Sequence, residues 1–380
     1  MPWMTQLFNS NDPVRGAFQT RPLHRITLPG THDSGCYRDQ TLSNFLAKTQ
    51  MQDIGGQLQG GIRYFDIRPK SLGNGQFAVH HGWIYQGGMI TGPGGILQQI
   101  QAYFNGLLAQ DRELVILNIS HFSNFSPAAH AALINAITVT LGNFLVQHRQ
   151  SAVNLFDMPY QDLLRDANLA MRSRVVVLYD GALDTAIEPF ITLAAQNATL
   201  PAGFFTLAPK YVSPANNIFL FDQYSNRANR LTNLIYEGMQ PNQLAKLTQR
   251  ANYGYSPEAK WVVPPPYAAN WTNNAPLGVA GTLHLLSWTL TPQFRGGEPI
   301  WYADHRANPY LAEFFSDPNR WANGASYNAI KDPQVNIIYV DHYESHRLNN
   351  PFSTWDGLAM PVAIAARMNE GSVDDPTTWR

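Results

Sequence analysis

Short apolar runs alternate along the chain with longer stretches whose apolar positions recur at helical spacing. The runs predict strands over 25–29, 62–68, 114–120, 174–180, 217–222, 283–289 and 335–341, with a shorter one over 76–81. The runs at 174–179 and 335–340 are β-branched and nearly continuous, which suits parallel strands buried on both faces. Helical spacing predicts helices over 94–109, 127–148, 160–167, 227–250, 308–316 and 357–369. In the second of these, Ala131, Ile134, Ala136, Ile137, Leu141, Phe144 and Leu145 recur at helical intervals. Ser126 and Pro127 supply its N-cap and a proline in the first turn. The β-α alternation argues for a parallel sheet in an α/β fold. About eight strands over 380 residues fit a single (β/α)8-type, TIM-like barrel, distorted or not, with loop insertions. A doubly wound sheet is the alternative. No domain boundary is legible, so 1–380 reads as one domain. Its longest loop is 251–280, rich in Trp, Tyr, Pro and Asn, a candidate lid or lipid-facing rim or a packed excursion.

Composition narrows the function. A formal net charge of -1 gives no electrostatic case for nucleic acid or for strong attraction to anionic membranes. Hydrophobic content of 44% is enough for a sizeable core. Cys36 is the only cysteine, so no disulfide forms within the chain. It reads as a packed thiol, because a nucleophile needs an activating base. The first residues lack a basic start and an apolar stretch of signal-peptide type. Export by a non-classical route, a removed leader and a cytoplasmic location all fit.

The chemistry gathers at strand ends, where barrels place their active sites. His32 and Asp33 follow the first strand, and Asp66 and Arg68 end the second. His80 and His81 end the run at 76–81, and Ser120 and His121 follow 114–119. Asp180, Asp222 with Tyr224, Ser287, and Asp341 with His342 close the remaining strands. Two imidazoles near a guanidinium and carboxylates are a minimal kit for cleaving a phosphodiester. One imidazole accepts a proton, the other donates one, and the guanidinium holds the anion. His80 reads as a packed residue behind His81, and His121 and His342 as either cleft-lining or strand-ending. Asp66 reads equally as a brace. Gly30 and Gly35 are expected to serve backbone turns.

Three motifs carry a resemblance. Leu28-Pro29-Gly30-Thr31-His32-Asp33-Ser34-Gly35, Phe65-Asp66-Ile67-Arg68 and His80-His81-Gly82 resemble the X domain of phosphatidylinositol-specific phospholipase C, in its bacterial, metal-independent branch. Asp222-Gln223-Tyr224 and the segments 283–290, 308–311 and 335–343 resemble later parts of the same domain. The likeness runs from about residue 23 to 345 and is strongest over 25–85. It implies His32 as general base, His81 as general acid, Arg68 as phosphate holder, and Asp341 as the carboxylate orienting His32. It implies Asp33 as the partner of the acid, and Asp222 and Tyr224 as contacts to the inositol ring.

Calcium-dependent relatives place carboxylates where this chain has Arg68 and, near the end of 114–120, Ser120. The resemblance therefore implies no metal and no other cofactor, since calcium needs several oxygen ligands. Two departures concern the head group. A lysine that bacterial relatives carry near Ser120 is absent, and Tyr179 and Asp180 stand where they carry an inositol-binding arginine.

The expected activity is that of a phosphatidylinositol diacylglycerol-lyase acting as a monomer, in transient contact with a membrane surface through exposed aromatic residues. A same-fold phosphodiesterase for another phospholipid head group, and an inactive lipid-binding module, are the rivals.

Overall fold

Eight parallel strands form one sheet whose order brings the two ends of the chain together. The structure is a computed structural model that describes residues 2–10, 18–39, 47–81, 85–149, 155–179, 200–206, 219–222, 239, 243, 282–290, 299–316, 335–351 and 353–370. The sheet strands are β1 (Leu28–Thr31), β2 (Tyr64–Ile67), β6 (Leu114–Ile119), β7 (Arg174–Tyr179), β8 (Phe204–Phe205), β9 (Phe219–Asp222), β10 (Thr282–Trp288) and β11 (Ile337–Val340). Their order is β8-β7-β6-β2-β1-β11-β10-β9. This is the strand order of a (β/α)8 barrel. Among the described residues no ladder joins β8 to β9.

The run at 76–81 is not a barrel strand. It is β4 (Gln76–His81) of a separate antiparallel sheet, flanked by β3 (Pro69–Gly73) and β5 (Tyr85–Met89). The eighth barrel strand is the two-residue β8, too short to leave an apolar signature. The first strand also begins later than its apolar run, because Leu23–Arg25 form a 3-10 turn. The predicted helices shorten to Ile96–Asn105, Pro127–Leu141, Tyr160–Leu164 and Met360–Asn369. The run at 308–316 begins earlier than predicted, at Pro299, and passes through a π turn at Ala303–Ala307. The predicted helix at 227–250 lies outside the described residues except at Met239 and Gln243, and the 251–280 loop lies wholly outside them.

Local rules explain the elements that frame the mouth. Ser126 Oγ accepts from the Ala129 amide at 3.2 Å and caps its helix as the sequence predicts. Ile96, Leu97, Ile100 and Phe104 form the buried face of the helix that precedes β6. The C-terminal helix is tied to the start of β1 through one side chain. Asn369 donates to the Thr27 carbonyl at 2.7 Å and accepts from the Thr27 amide at 3.0 Å.

The amino-terminal end of the barrel is closed by a buried ion pair. Arg63, just before β2, and Glu113, just before β6, are both fully shielded and meet at 2.7 Å. Arg63 also donates to the Leu58 and Ile62 carbonyls and to the Tyr103 hydroxyl. The second oxygen of Glu113 accepts the amide and hydroxyl of Thr5, which docks the N-terminal helix Trp3–Phe8. Breaking such a pair leaves a charge uncompensated in the interior, at a cost of about 3–5 kcal/mol. Glu113→Ala should therefore lower the urea-unfolding free energy by about that amount. A loss under about 1 kcal/mol would show that the pair does not hold this end of the barrel.

Candidate active site

Three neighbouring strands deliver most of the site. β2, β1 and β11 are consecutive in the sheet, and their carboxyl ends supply Asp66 and Arg68, His32 and Asp33, and Asp341. The β3-β4-β5 excursion leaves the sheet just after Arg68 and carries His81 back over the same mouth.

The turn after β1 has an unusual backbone. Asp33 sits at φ 43°, a left-handed conformation that a non-glycine residue adopts at a cost. Bonds from both sides hold it there. Its amide donates to Asp66 Oδ2 at 3.1 Å, and its carbonyl accepts from Thr49 Oγ1 at 2.9 Å. Ser34 stitches the turn to β2, donating its amide to the Asp66 carbonyl and accepting the Asp66 amide on Oγ. Gly35 lies in the turn after β1 as expected, Gly30 serves close packing within the strand instead, and neither has a positive φ. A Cβ on Gly30 would lie 2.9 Å from Ile337 Cγ2 and 3.0 Å from Tyr64 Cδ1, and one on Gly35 would run into Val79.

Asp33 is the meeting point. Its Oδ2 lies 3.3 Å from His32 Nε2 and 3.3 Å from His81 Nε2, and its Oδ1 lies 2.7 Å from Arg68 Nε. Arg68 also reaches Asp66 Oδ2 at 2.9 Å. Behind His32, Asp341 Oδ1 lies 2.8 Å from Nδ1. An ionised carboxylate only accepts, so the Nδ1 proton is fixed and Nε2 carries the lone pair of the neutral ring. Five residues predicted as catalytic, His32, Asp33, Arg68, His81 and Asp341, are thus brought together.

Burial and charge set the protonation of these groups. Burial works against the His32 imidazolium, but Asp33 and Asp341 outweigh it and raise the pKa to about 8. His81 is shifted below its ordinary value by burial, despite the opposing charge of Asp33. Burial opposes the ionisation of Asp66, yet Arg68 and its other neighbours hold it down at about 2. Cys36 is fully buried, and burial followed by the Asp33 charge pushes its thiol well up, which leaves no nucleophile there.

The other candidates divide. His80 Nε2 donates to the His121 carbonyl at 2.8 Å, a brace on the side of β4 away from His81. His121 pairs with Ser120 Oγ at 2.8 Å, and burial followed by Arg68 lowers its pKa to about 4. It lines the mouth. His342 does not join the cluster, because Asp304 of the π turn holds it at 2.5 Å. Ser287 is buried and bonded to Thr289. Asp222 ends β9, and Tyr224, Asp180 and Gly82 lie outside the described residues. Sequence reasoning missed Thr49, Gln50 and Tyr339. Gln50 donates to the His32 and Val340 carbonyls, and Tyr339 donates its hydroxyl to Asp66. None of the three belongs to a motif, and Tyr339 reads as an apolar strand position.

His32, Asp33 and Asp66 lie close enough to share an ion. The Arg68 guanidinium is already bonded to both carboxylates, so a cation there would have to displace it. The charge a metal would supply is present as arginine.

No protein-family model matches the chain. A 1-phosphatidylinositol phosphodiesterase of Staphylococcus aureus (strain Newman) is 39% identical over 64 residues, covering 17% of this chain and 20% of that protein. A 1-phosphatidylinositol phosphodiesterase of Listeria monocytogenes is 30% identical over 131 residues, covering 31% of this chain and 38% of that one. The chain therefore matches well under half the length of these relatives. The solved phosphatidylinositol-specific phospholipase C from Listeria monocytogenes superposes with a TM-score of 0.53 over 96% of this chain and 97% of that one, at 16% identity. This likeness establishes the fold. Relatives and structural neighbours converge on the phosphatidylinositol-specific phospholipase C X-domain family, the family the motifs resemble.

The depressed Asp66 makes a prediction about stability. A carboxyl held lower in the folded state stabilises it above the unfolded value near 4, and that stabilisation is lost as pH falls towards about 2. The loss is on the order of 2 kcal/mol. Asp66→Asn should flatten this part of the acid limb of the stability-pH curve. An unchanged limb would mean that Asp66 is not held ionised.

Proposed function

We propose that the protein is a phosphatidylinositol diacylglycerol-lyase, acting as a single catalytic domain. The observation that supports it best is the convergence of two imidazole Nε2 atoms and one guanidinium on a single point, now occupied by the Asp33 carboxylate. His32 Nε2 takes the proton of the inositol 2-hydroxyl, and that oxygen forms a bond to phosphorus. Arg68 stabilises the charge growing on the phosphoryl oxygens. The bond to the glycerol oxygen breaks, and His81 Nε2 gives that oxygen its proton. The products are diacylglycerol and inositol 1,2-cyclic phosphate. Asp341 orients the base, Asp33 assists the acid, and Asp222 and Tyr224 contact the ring. The nucleophile belongs to the substrate, so no water has to be captured.

One observation favours a second reading. Tyr179, where relatives carry an inositol-binding arginine, is buried and bonded to His130 at 2.7 Å in an aromatic cluster. It cannot greet a head group. The same chemistry on a different phospholipid head group follows if inositol is not held by other residues. Transient contact with a lipid surface draws support from Trp301, which is 43% exposed, and from the exposed Tyr310 on the same helical run. No helix among the described residues is long and apolar enough to cross a membrane.

Phosphorus NMR of phosphatidylinositol micelles with the protein in excess EDTA tests the reading directly. A five-membered cyclic phosphate signal is expected. Turnover only after calcium is added would overturn the role given to Arg68, and no turnover under either condition would move the assignment to another head group. His32→Ala and His81→Ala should each lower kcat by about 10²–10⁴-fold while lipid binding persists. Activity at the parent level in either variant would contradict this assignment of the site.

The pH profile has a stated shape. The reacting form carries one proton on the pair, placed on His81. Raising pH removes the first proton in the range set by the lowered His81 and the second at about 8, from His32. kcat/KM should therefore rise through a pKa below 6.5 and fall through one near 8. In the resting enzyme the single proton favours His32, the base, so the reactive arrangement is the minor one. A profile that rises monotonically to pH 9 would exclude the paired mechanism.

A further inference from the structure

Asp66 gathers its donors on one oxygen. Oδ2 accepts the Asp33 amide at 3.1 Å, Arg68 Nε at 3.1 Å, the Arg68 terminal nitrogen at 2.9 Å and the Tyr339 hydroxyl. Oδ1 has no hydrogen-bond partner among the described residues. Tyr339 reaches Asp66 from two strands away. It lies on β11, Asp66 lies on β2, and β1 runs between them. The crossing is possible because the residue between is Gly30, in register with Tyr339 on one side and Tyr64 on the other. With no side chain at Gly30, the Tyr64 and Tyr339 rings meet edge to face across β1, with centroids 6.3 Å apart. Asp66 is two residues along β2 from Tyr64, on the same face. The Tyr339 ring also meets the His32 ring edge to face, with centroids 5.3 Å apart.

We propose that Tyr339 is a positioning residue that locks the Asp66 carboxylate and, through it, sets the plane of the Arg68 guanidinium against the phosphodiester. The role rests on the reading of Arg68 as phosphate holder. A carboxylate that meets a guanidinium through a single oxygen can turn about its own axis and carry the guanidinium with it. The Tyr339 hydroxyl resists that rotation, because turning Oδ2 away from Arg68 would also break the tyrosine bond, together with the bond from the Asp33 amide. The lock is rigid because Tyr339 is buried on a strand, 1% exposed, with its ring held between Tyr64 and His32. Tyr339 also joins the two halves of the machinery, packing on the base and bonding to the residue that aims the anion holder.

The test is Tyr339→Phe, which removes one oxygen and keeps the ring. Two readouts separate positioning from packing. The first is independent of turnover: exchange of the Arg68 Nε proton with solvent by NMR, its resonance assigned by its absence in Arg68→Lys. Exchange should quicken at least about tenfold in Tyr339→Phe, with a melting temperature within a few degrees of the parent. The second is kinetic: kcat should fall about ten- to hundredfold with KM within about twofold, the pattern of an interaction felt in the transition state. Asp66→Asn should reproduce the faster exchange, and the double variant should add little to either single one, because both act on the same bond. Unchanged Arg68 exchange in Tyr339→Phe, or full additivity in the double variant, overturns the proposal. Faster exchange in Tyr339→Phe, with no turnover of phosphatidylinositol by the parent protein, would sustain the lock and overturn the proposed activity.

Discussion

A carboxylate withdrawn from water has to be matched by donors at close range, and the site is organised around one that is. Asp33 is fully buried and faces two imidazoles and a guanidinium. No neighbouring position can change alone. Arg68 needs Asp33 and Asp66 to justify its own burial, and Asp66 needs Arg68 and Tyr339. His32 is held on the far side by Asp341. The left-handed backbone at Asp33 is tolerated because this network over-determines it. Local strain, buried charge and placement of catalytic groups are therefore one constraint seen from three sides.

The same logic appears, inverted, at the other end of the barrel. Arg63 and Glu113 are equally shielded, but their remaining hydrogen-bonding capacity is spent on carbonyls, a tyrosine and the N-terminal helix. At the carboxyl end the two imidazoles and the guanidinium converge instead on the Asp33 carboxylate. The contrast separates a pair that holds a fold from a cluster proposed to do chemistry, and burial alone does not make that distinction.

Much of this was legible before any coordinates, and what was not has physical reasons. The barrel strands β1, β2, β6, β7, β10 and β11 show as apolar runs because parallel strands are buried on both faces. β4 reads the same way although it belongs to an antiparallel excursion, since an apolar run carries no record of its partners. β8 is too short to register at all. The charged residues of the site were visible because charge at a strand end is rare and therefore informative. Tyr339 was invisible because its role depends on Asp66 two strands away, reached across Gly30, and spacing along the chain does not encode which residue stands between. Gly30 itself misled, because a glycine beside a motif suggests a turn when here it only clears a path.

The adjacency of β1 and β11 carries a consequence in time. His32 and Asp341 are separated by 309 positions, yet they share a hydrogen bond. During synthesis His32, Arg68 and His81 all emerge within the first quarter of this sequence, long before the strand that carries Asp341. Until that strand arrives, the edge of β1 stands open and the charges of its turn have water for company. The nascent chain is then an unfinished sheet, and the contact between His32 and Asp341 forms only when β11 pairs with β1.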